Sequence, residues 1–432
     1  MEKIMFFKNN RRFFASLGKK ALIVLAVFGP ATITAMADND ATGVATYSIA
    51  GAKLGYPILF LLLLITILLA VTQEMGMRLT IITRRGLADI IREKYGVRIS
   101  LFIFAALMIA NMGTIIADLA AVKVTGQMLG FPPVPMAIAI AVISFLVITK
   151  GNYKLTQNIM LVASLFFIAY IFSAVKAKPD WGLAITNLIY PHGVDFTKDY
   201  LFDYMVIGMG VLGTTITPWG QFFISSFAYD KKIEKGKVGI SQVETYWGAL
   251  LTNFFSFFMI VATAATLFVN KIPLISGEQA AQAIQPFAGQ LAGILFAAGI
   301  LNAGFMGLVL VSLSTAYAFA EFFGISGSLN DSFQKSKTFY ILYLLQLIVA
   351  LIVVLFPDVS FFQIVVASQI LNAVMLPLIF YYLITLTSDR NLMGEYVNNP
   401  FQKWFSVASS VVILIASVIT VGFSIWDTFL KK

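Results

Sequence analysis

The chain has 432 residues, of which 59% are hydrophobic and 12% charged, and its mean hydropathy is +0.87. Soluble domains carry about 25% charged residues, so this composition excludes a soluble protein and predicts an integral membrane one. The net charge of +9 is concentrated in short polar segments rather than on one basic face, which does not suggest nucleic-acid binding, and the absence of cysteine excludes disulfides and thiolate metal ligands.

Residues 1–20 form a basic arm. Beyond it, apolar windows of about 20 residues, the length that crosses a hydrocarbon core, predict eleven transmembrane helices at 21–50, 55–80, 100–128, 133–149, 155–177, 200–228, 241–269, 289–320, 337–356, 360–386 and 403–425. Runs such as ILFLLLLITILLAV do not alternate and so exclude a β-barrel. Lys and Arg gather in the arm, across Arg78 to Arg98, in Lys150 to Lys154, in DKKIEKGK and in QKSK, with Arg390 and Lys403. These are alternate connections, and basic residues accumulate on the cytoplasmic side. The N-terminus is therefore expected inside and the C-terminus outside, in a cell membrane. Ala35-Met36-Ala37 imitates a signal cleavage site. The long arm and Pro30 argue against cleavage, so residues 21–432 are read as one transmembrane domain.

Two spans carry interruptions at corresponding places. The first contains FGPATITAMADNDATG and the sixth contains GMGVLGTTITPWGQFF. Paired interrupted segments point to inverted repeats with a binding site between them. The repeats are read as about 21–177 and 200–386, with 403–425 as an extra helix. Pro218 removes a backbone donor, Gly43 and Gly220 weaken helix, and Thr214, Thr215 and Thr217 are β-branched. Ala37, Thr42, Gly43, Pro218 and Gly220 are thus expected to line two unwound stretches.

Ionisable groups inside spans are expensive and usually face a cavity or a partner. Those found are Asp38, Asp40, Glu74, Asp118, Lys123 and Glu244. Glu74 and Glu244 lie near span ends, where a solvated position and a functional one are equally open. Asp118 and Lys123, five apart, read either as mutual neutralisation or as a gate. The break residues offer carboxylate, hydroxyl, amide and carbonyl oxygens, which suit Mg2+, Ca2+ and Mn2+, while Met36 and Met375 leave a thioether open as a further ligand. Mg2+ keeps several waters and needs one or two carboxylates.

From Gly29-Pro30 through NDATG, in DLA (Asp118 to Ala120), in TPWGQFF and in TSDRNLMGEYVN (Thr387 to Asn398), the chain resembles the NRAMP divalent-metal transporters over nearly its whole length. The resemblance implies an all-α leucine-transporter-type fold, a 5+5 inverted repeat plus an eleventh helix, with metal held where helices 1 and 6 unwind. The family's Asp-Pro-Gly-Asn stands here as Asp40-Ala41-Thr42-Gly43, and its methionine on span 6 is replaced by Thr217. A carboxylate after the span 3 aspartate is replaced by Ala121, and histidines on span 6 by Trp219 and Ile224. Together these departures are similar to the NRAMP-related magnesium transporter branch.

The resemblance implies metal ligation by Asp40, the Thr214 carbonyl and Thr217, with Gln369 outside them. Asp38 ranks lower, because in helix it would face away from Asp40. Asp118, Lys123, Ala121 and Trp219 mark a possible gate or former proton path. The expected function is secondary transport of hydrated Mg2+, with Mn2+ accepted and no proton coupling. The metal is substrate, no cofactor is implied, and the lipid bilayer is the surrounding partner, with no obligate protein partner and no enzymatic role. The alternatives are proton-coupled Mn2+ or Fe2+ transport, a sodium-coupled organic-solute symporter and a non-transporting scaffold.

Overall fold

The computed structural model describes residues 29–272, 274, 280–356 and 361–429, without the side chains of 283, 361–363, 366 and 423–429. The basic arm and the first residues of the span predicted at 21–50 lie outside the described residues. Within them the protein is all helix. Ten helices are long and apolar enough to cross a bilayer, and the protein is an integral membrane protein.

The first crossing is made by two short pieces end to end, α1 (Pro30–Ala37) and α2 (Ala41–Leu54). Pro30 opens α1 at the one place where a missing N–H is harmless. The Glu244 carboxylate, from a distant helix, accepts from the N–H groups of Ala31 at 3.0 Å and Thr32 at 3.3 Å, which satisfies orphan donors at a positive helix end. The chain continues through α3 (Ile58–Thr83), α4 (Leu87–Tyr95), α5 (Val97–Met128) and α6 (Pro133–Lys150). Next come α7 (Tyr153–Ser164) and α8 (Ile168–Lys176), joined by a 3-10 turn into one crossing, and then α9 (Trp181–Ile189).

The sixth crossing is broken like the first, into α10 (Lys198–Thr215) and α11 (Pro218–Asp230). It is followed by α12 (Val238–Thr263), α13 (Ala280–Ala288), α14 (Gln290–Phe323), α15 (Lys337–Leu355), α16 (Phe361–Thr387), the short α17 (Arg390–Met393) and α18 (Pro400–Phe429). The breaks themselves are short, residues 38–40 and 216–217, and Ala37, Thr42, Gly43, Pro218 and Gly220, expected to line them, lie in the helical turns on either side.

Packing sets the breaks side by side. α1 lies against α11, α2 against α10, and both halves of the first crossing lie against α12 and α14. At Gly213 a side chain would begin 2.0 Å from the Gln369 carbonyl oxygen, so only glycine lets α10 approach α16 this closely, the usual role of small residues between membrane helices. Large apolar residues such as Val162, Leu165, Val412 and Val418 point outward at 60% to 65% exposure, as lipid-facing surfaces do.

Three short helices, α4, α9 and α13, stand in segments read as connections. Each has nine residues, less than half the window that detects a span. α4 is amphipathic, with Leu87, Ala88, Ile90 and Ile91 buried.

Candidate functional site

Between Ala37 and Ala41 the chain leaves the helix, and its three polar residues go three ways. Asn39 turns to α12: its amide donates to the Thr252 carbonyl at 2.9 Å and hydroxyl at 2.8 Å, and its oxygen accepts from Ser256 at 2.8 Å. Asp40, extended at ψ 178°, caps α2. Its Oδ1 accepts from the Gly43 N–H at 2.7 Å and the Thr42 hydroxyl at 2.5 Å.

Asp38 crosses to the other break. Its Oδ1 accepts from the Thr217 hydroxyl at 3.0 Å, and its Oδ2 from the Gln73 amide of α3 at 3.3 Å. The reading of Asp38 assumed helix at this position, whereas α1 has already ended at Ala37 and the Asp38 carboxylate is held by Thr217 and Gln73.

On the sixth crossing, Thr217 is the N-cap of α11, with Pro218 in the first turn, and its hydroxyl accepts from the Gly220 N–H at 3.0 Å. Thr215 is paired with the Tyr47 hydroxyl of α2 at 2.7 Å. The Thr214 hydroxyl, on a residue 1% exposed, has no protein partner among the described residues. α16 contributes Gln369, whose amide donates to Thr42 Oγ1 at 2.8 Å and whose oxygen accepts from Asn372 at 3.1 Å. Asp118 of α5 accepts from the Thr42 N–H at 3.2 Å. Sequence reasoning treated Thr42 only as a break residue, yet it ties Asp40, Asp118 and Gln369 together.

Two glycines lie against these oxygens. A side chain at Gly43 would start 2.6 Å from the Asp38 carbonyl oxygen, 3.2 Å from Thr214 Oγ1 and 3.4 Å from Asp40 Oδ1. One at Gly220 would start 2.7 Å from Thr217 Oγ1 and 3.3 Å from Asp38 Oδ1. Carboxylate, hydroxyl and carbonyl oxygens thus crowd around Gly43, and they are the donor types of hard cations. Among the described residues no three of His, Cys, Asp and Glu gather as a metal-holding group.

The other sequence candidates are distributed around this centre. Ala121 and Trp219 are buried, and the Trp219 carbonyl accepts from Ser314 at 2.9 Å. The Lys123 ammonium donates to the Val354 carbonyl at 2.8 Å. Glu74 and Glu244 are 0% and 3% exposed, not solvated at an interface. Glu244 caps α1, and Glu74 is paired with Arg78 at 2.7 Å and also accepts from Gln242 and Gln402. Gln73, which sequence reasoning missed, was legible only as a polar neighbour of Glu74 in an apolar run.

Comparison with known proteins matches this architecture. The chain is 26% identical over 419 residues to the divalent metal cation transporter MntH of Nostoc sp., spanning 93% of this chain and 90% of that protein. It is 24% identical over 418 residues to the protein of the same name from Bacillus subtilis, spanning 94% and 93%. In fold it is similar to the manganese transporter of Eremococcus coleocola, with a TM-score of 0.74 at 17% identity, covering 94% of this chain and 88% of that one. A Na+-coupled sialic acid symporter is similar at a TM-score of 0.61 and 13% identity, covering 91% and 89%. The model of the family described as natural resistance-associated macrophage protein-like matches residues 31–422, and the chain belongs to that family, Nramp.

Proposed function

We propose that this Nramp-family chain, a transporter and not an enzyme, takes up divalent metal cations as hydrated Mg2+, with Mn2+ also accepted and without proton coupling. The observation that carries the reading is the set of oxygens gathered closely around Gly43, namely Asp38 O, Thr214 Oγ1 and Asp40 Oδ1. Mg2+ sheds water reluctantly and is commonly held by one or two carboxylates, so an oxygen-only donor set with few charged ligands fits it. Thr217 supports the same direction, because it places a hydroxyl where a thioether would favour softer ions. The proposed absence of proton coupling rests on Ala121, Trp219 and Ile224, positions without a titratable group, and on the chain's sole histidine, His192, lying outside both breaks in the sequence.

Asp40, Thr214, Thr217 and Asp38 are the proposed metal contacts, direct or through water, with Gln369 orienting them through Thr42. Basic residues in alternate connections support a cell-membrane orientation with the N-terminus in the cytoplasm. The test is calorimetry on the purified chain. Saturable Mg2+ binding that Asp40→Ala abolishes is expected. Micromolar Mn2+ binding that millimolar Mg2+ does not disturb would instead favour a proton-coupled Mn2+ transporter, and manganese is the ion named for the Eremococcus coleocola protein of similar fold.

A further inference from the structure

Asp118 lies at the centre of the site and only half of its carboxylate is engaged. Its Oδ1 accepts from the Thr42 N–H at 3.2 Å, while Oδ2, on a residue 0% exposed, has no hydrogen-bond partner among the described residues. Thr42 makes a bridge, because its N–H serves Asp118 and its hydroxyl serves Asp40 at 2.5 Å. The free oxygen points towards α14. A side chain at Gly307 would begin 2.0 Å from Asp118 Oδ2 and 2.9 Å from the Asp40 β-carbon. The two acidic side chains therefore meet at the place where Gly307 has no side chain.

Capping α2 does not require this arrangement. A neutral asparagine or serine accepts from a helix N-terminus about as well as an aspartate does, whereas a buried carboxylate oxygen left without a partner is costly unless a cation serves it. The Thr214 hydroxyl, which like Asp40 Oδ1 lies against Gly43, is a second buried polar group without a partner among the described residues. A hydrated dication there meets negative charge from two helices.

We propose that Asp118 is a second carboxylate of the cation site, serving the hydrated metal beside Asp40 from the position that Gly307, lacking a side chain, lets its Oδ2 occupy. This rests on the reading of the chain as a divalent-cation transporter. It assigns Asp118 a role in affinity rather than in gating or proton transfer, and Gly307 a positioning role exerted through Asp118.

The test is concentration-dependent Mg2+ and Mn2+ influx into liposomes holding the full chain, for wild type, Asp118→Asn, Gly307→Ala and the double variant. Even at the dielectric of water, one unit charge within about 8 Å changes the affinity for a divalent ion severalfold. Asp118→Asn is expected to raise KM about fivefold or more with little change in maximal flux. Gly307→Ala is expected to do the same, and the double variant no more than either alone, the signature of residues acting on one interaction. Should Gly307→Ala fail to give monodisperse protein, the nearly isosteric Asp118→Asn decides alone. An unchanged KM in Asp118→Asn beside an active wild type would overturn this proposal only, as would loss of a proton signal with metal KM intact. A wild type that neither binds nor carries divalent ions would overturn the underlying reading as well.

Discussion

At the residue scale, the contact between Asp38 and Thr217 joins the two breaks and makes their ligand chemistry adjustable one side chain at a time. Thr217→Met replaces a hydroxyl with a thioether at the mouth of α11. It is expected to raise Cd2+ affinity at least tenfold relative to Mg2+, since soft ions prefer sulfur, with competition calorimetry as the check. Asn39 has the opposite character, because its amide is consumed by Thr252 and Ser256 and none of it faces the other break. Asn39→Ala leaves buried partners unsatisfied and should cost about 1–3 kcal/mol, seen as a lower Tm with metal affinity retained in the folded fraction. Asp40 and Thr217 stand out in the sequence because each sits at a helix interruption, and Gln369 through the resemblance to the family. The contact between Asp38 and Thr217 does not, since it depends on α1 ending one residue earlier. Gly307 carries no signal in one sequence, as the absence of a side chain means nothing until its neighbours are known.

At the element scale, the segment after α16 shows how a recognisable motif acquires a mechanical meaning only in the fold. TSDRNLMGEYVN runs from the end of α16 through α17 and folds against α3. There Arg78 donates to the Tyr396 carbonyl and to Asn398 at 2.9 Å while its other bonds hold Glu74. Asn398 in turn donates to Thr387 at 2.7 Å. Outside the membrane, the Lys94 ammonium of α4 lies 2.6 Å from Asp389 and holds that carboxyl below its ordinary range. The motif is thus a clasp between α3, α4 and the start of α18. Arg78→Met is expected to leave Glu74 buried without its counter-ion and to cost about 3–5 kcal/mol, measurable as a large fall in Tm of the detergent-solubilised protein. Spans could be read because twenty apolar residues leave few alternatives, and interruptions because proline and glycine mark them. The clasp could not, since its partners on α3 and α4 stand 295 to 320 residues from those after α16, and α4, α9 and α13 are too short to stand out.

At the scale of the whole molecule, the fold is shared with proteins named for different cargo, so architecture alone does not select the substrate. The likeness to a sialic acid symporter is a likeness of scaffold. Asp38, Asp40 and Asp118, each at most 1% exposed around the breaks, would repel a carboxylate substrate and favour a cation. The same three acids set the expected behaviour of the intact transporter, namely cation influx that follows its gradient and the membrane potential. The most direct measurement of that claim is Mg2+ influx into liposomes containing the wild-type chain, recorded with an internal pH dye at a fixed inside-negative potential, with Asp40→Ala as the control. The account predicts saturable Mg2+ uptake, accelerated by the potential, absent in Asp40→Ala and without internal acidification. Metal-driven acidification, or Mn2+ uptake with no Mg2+ uptake, would contradict it.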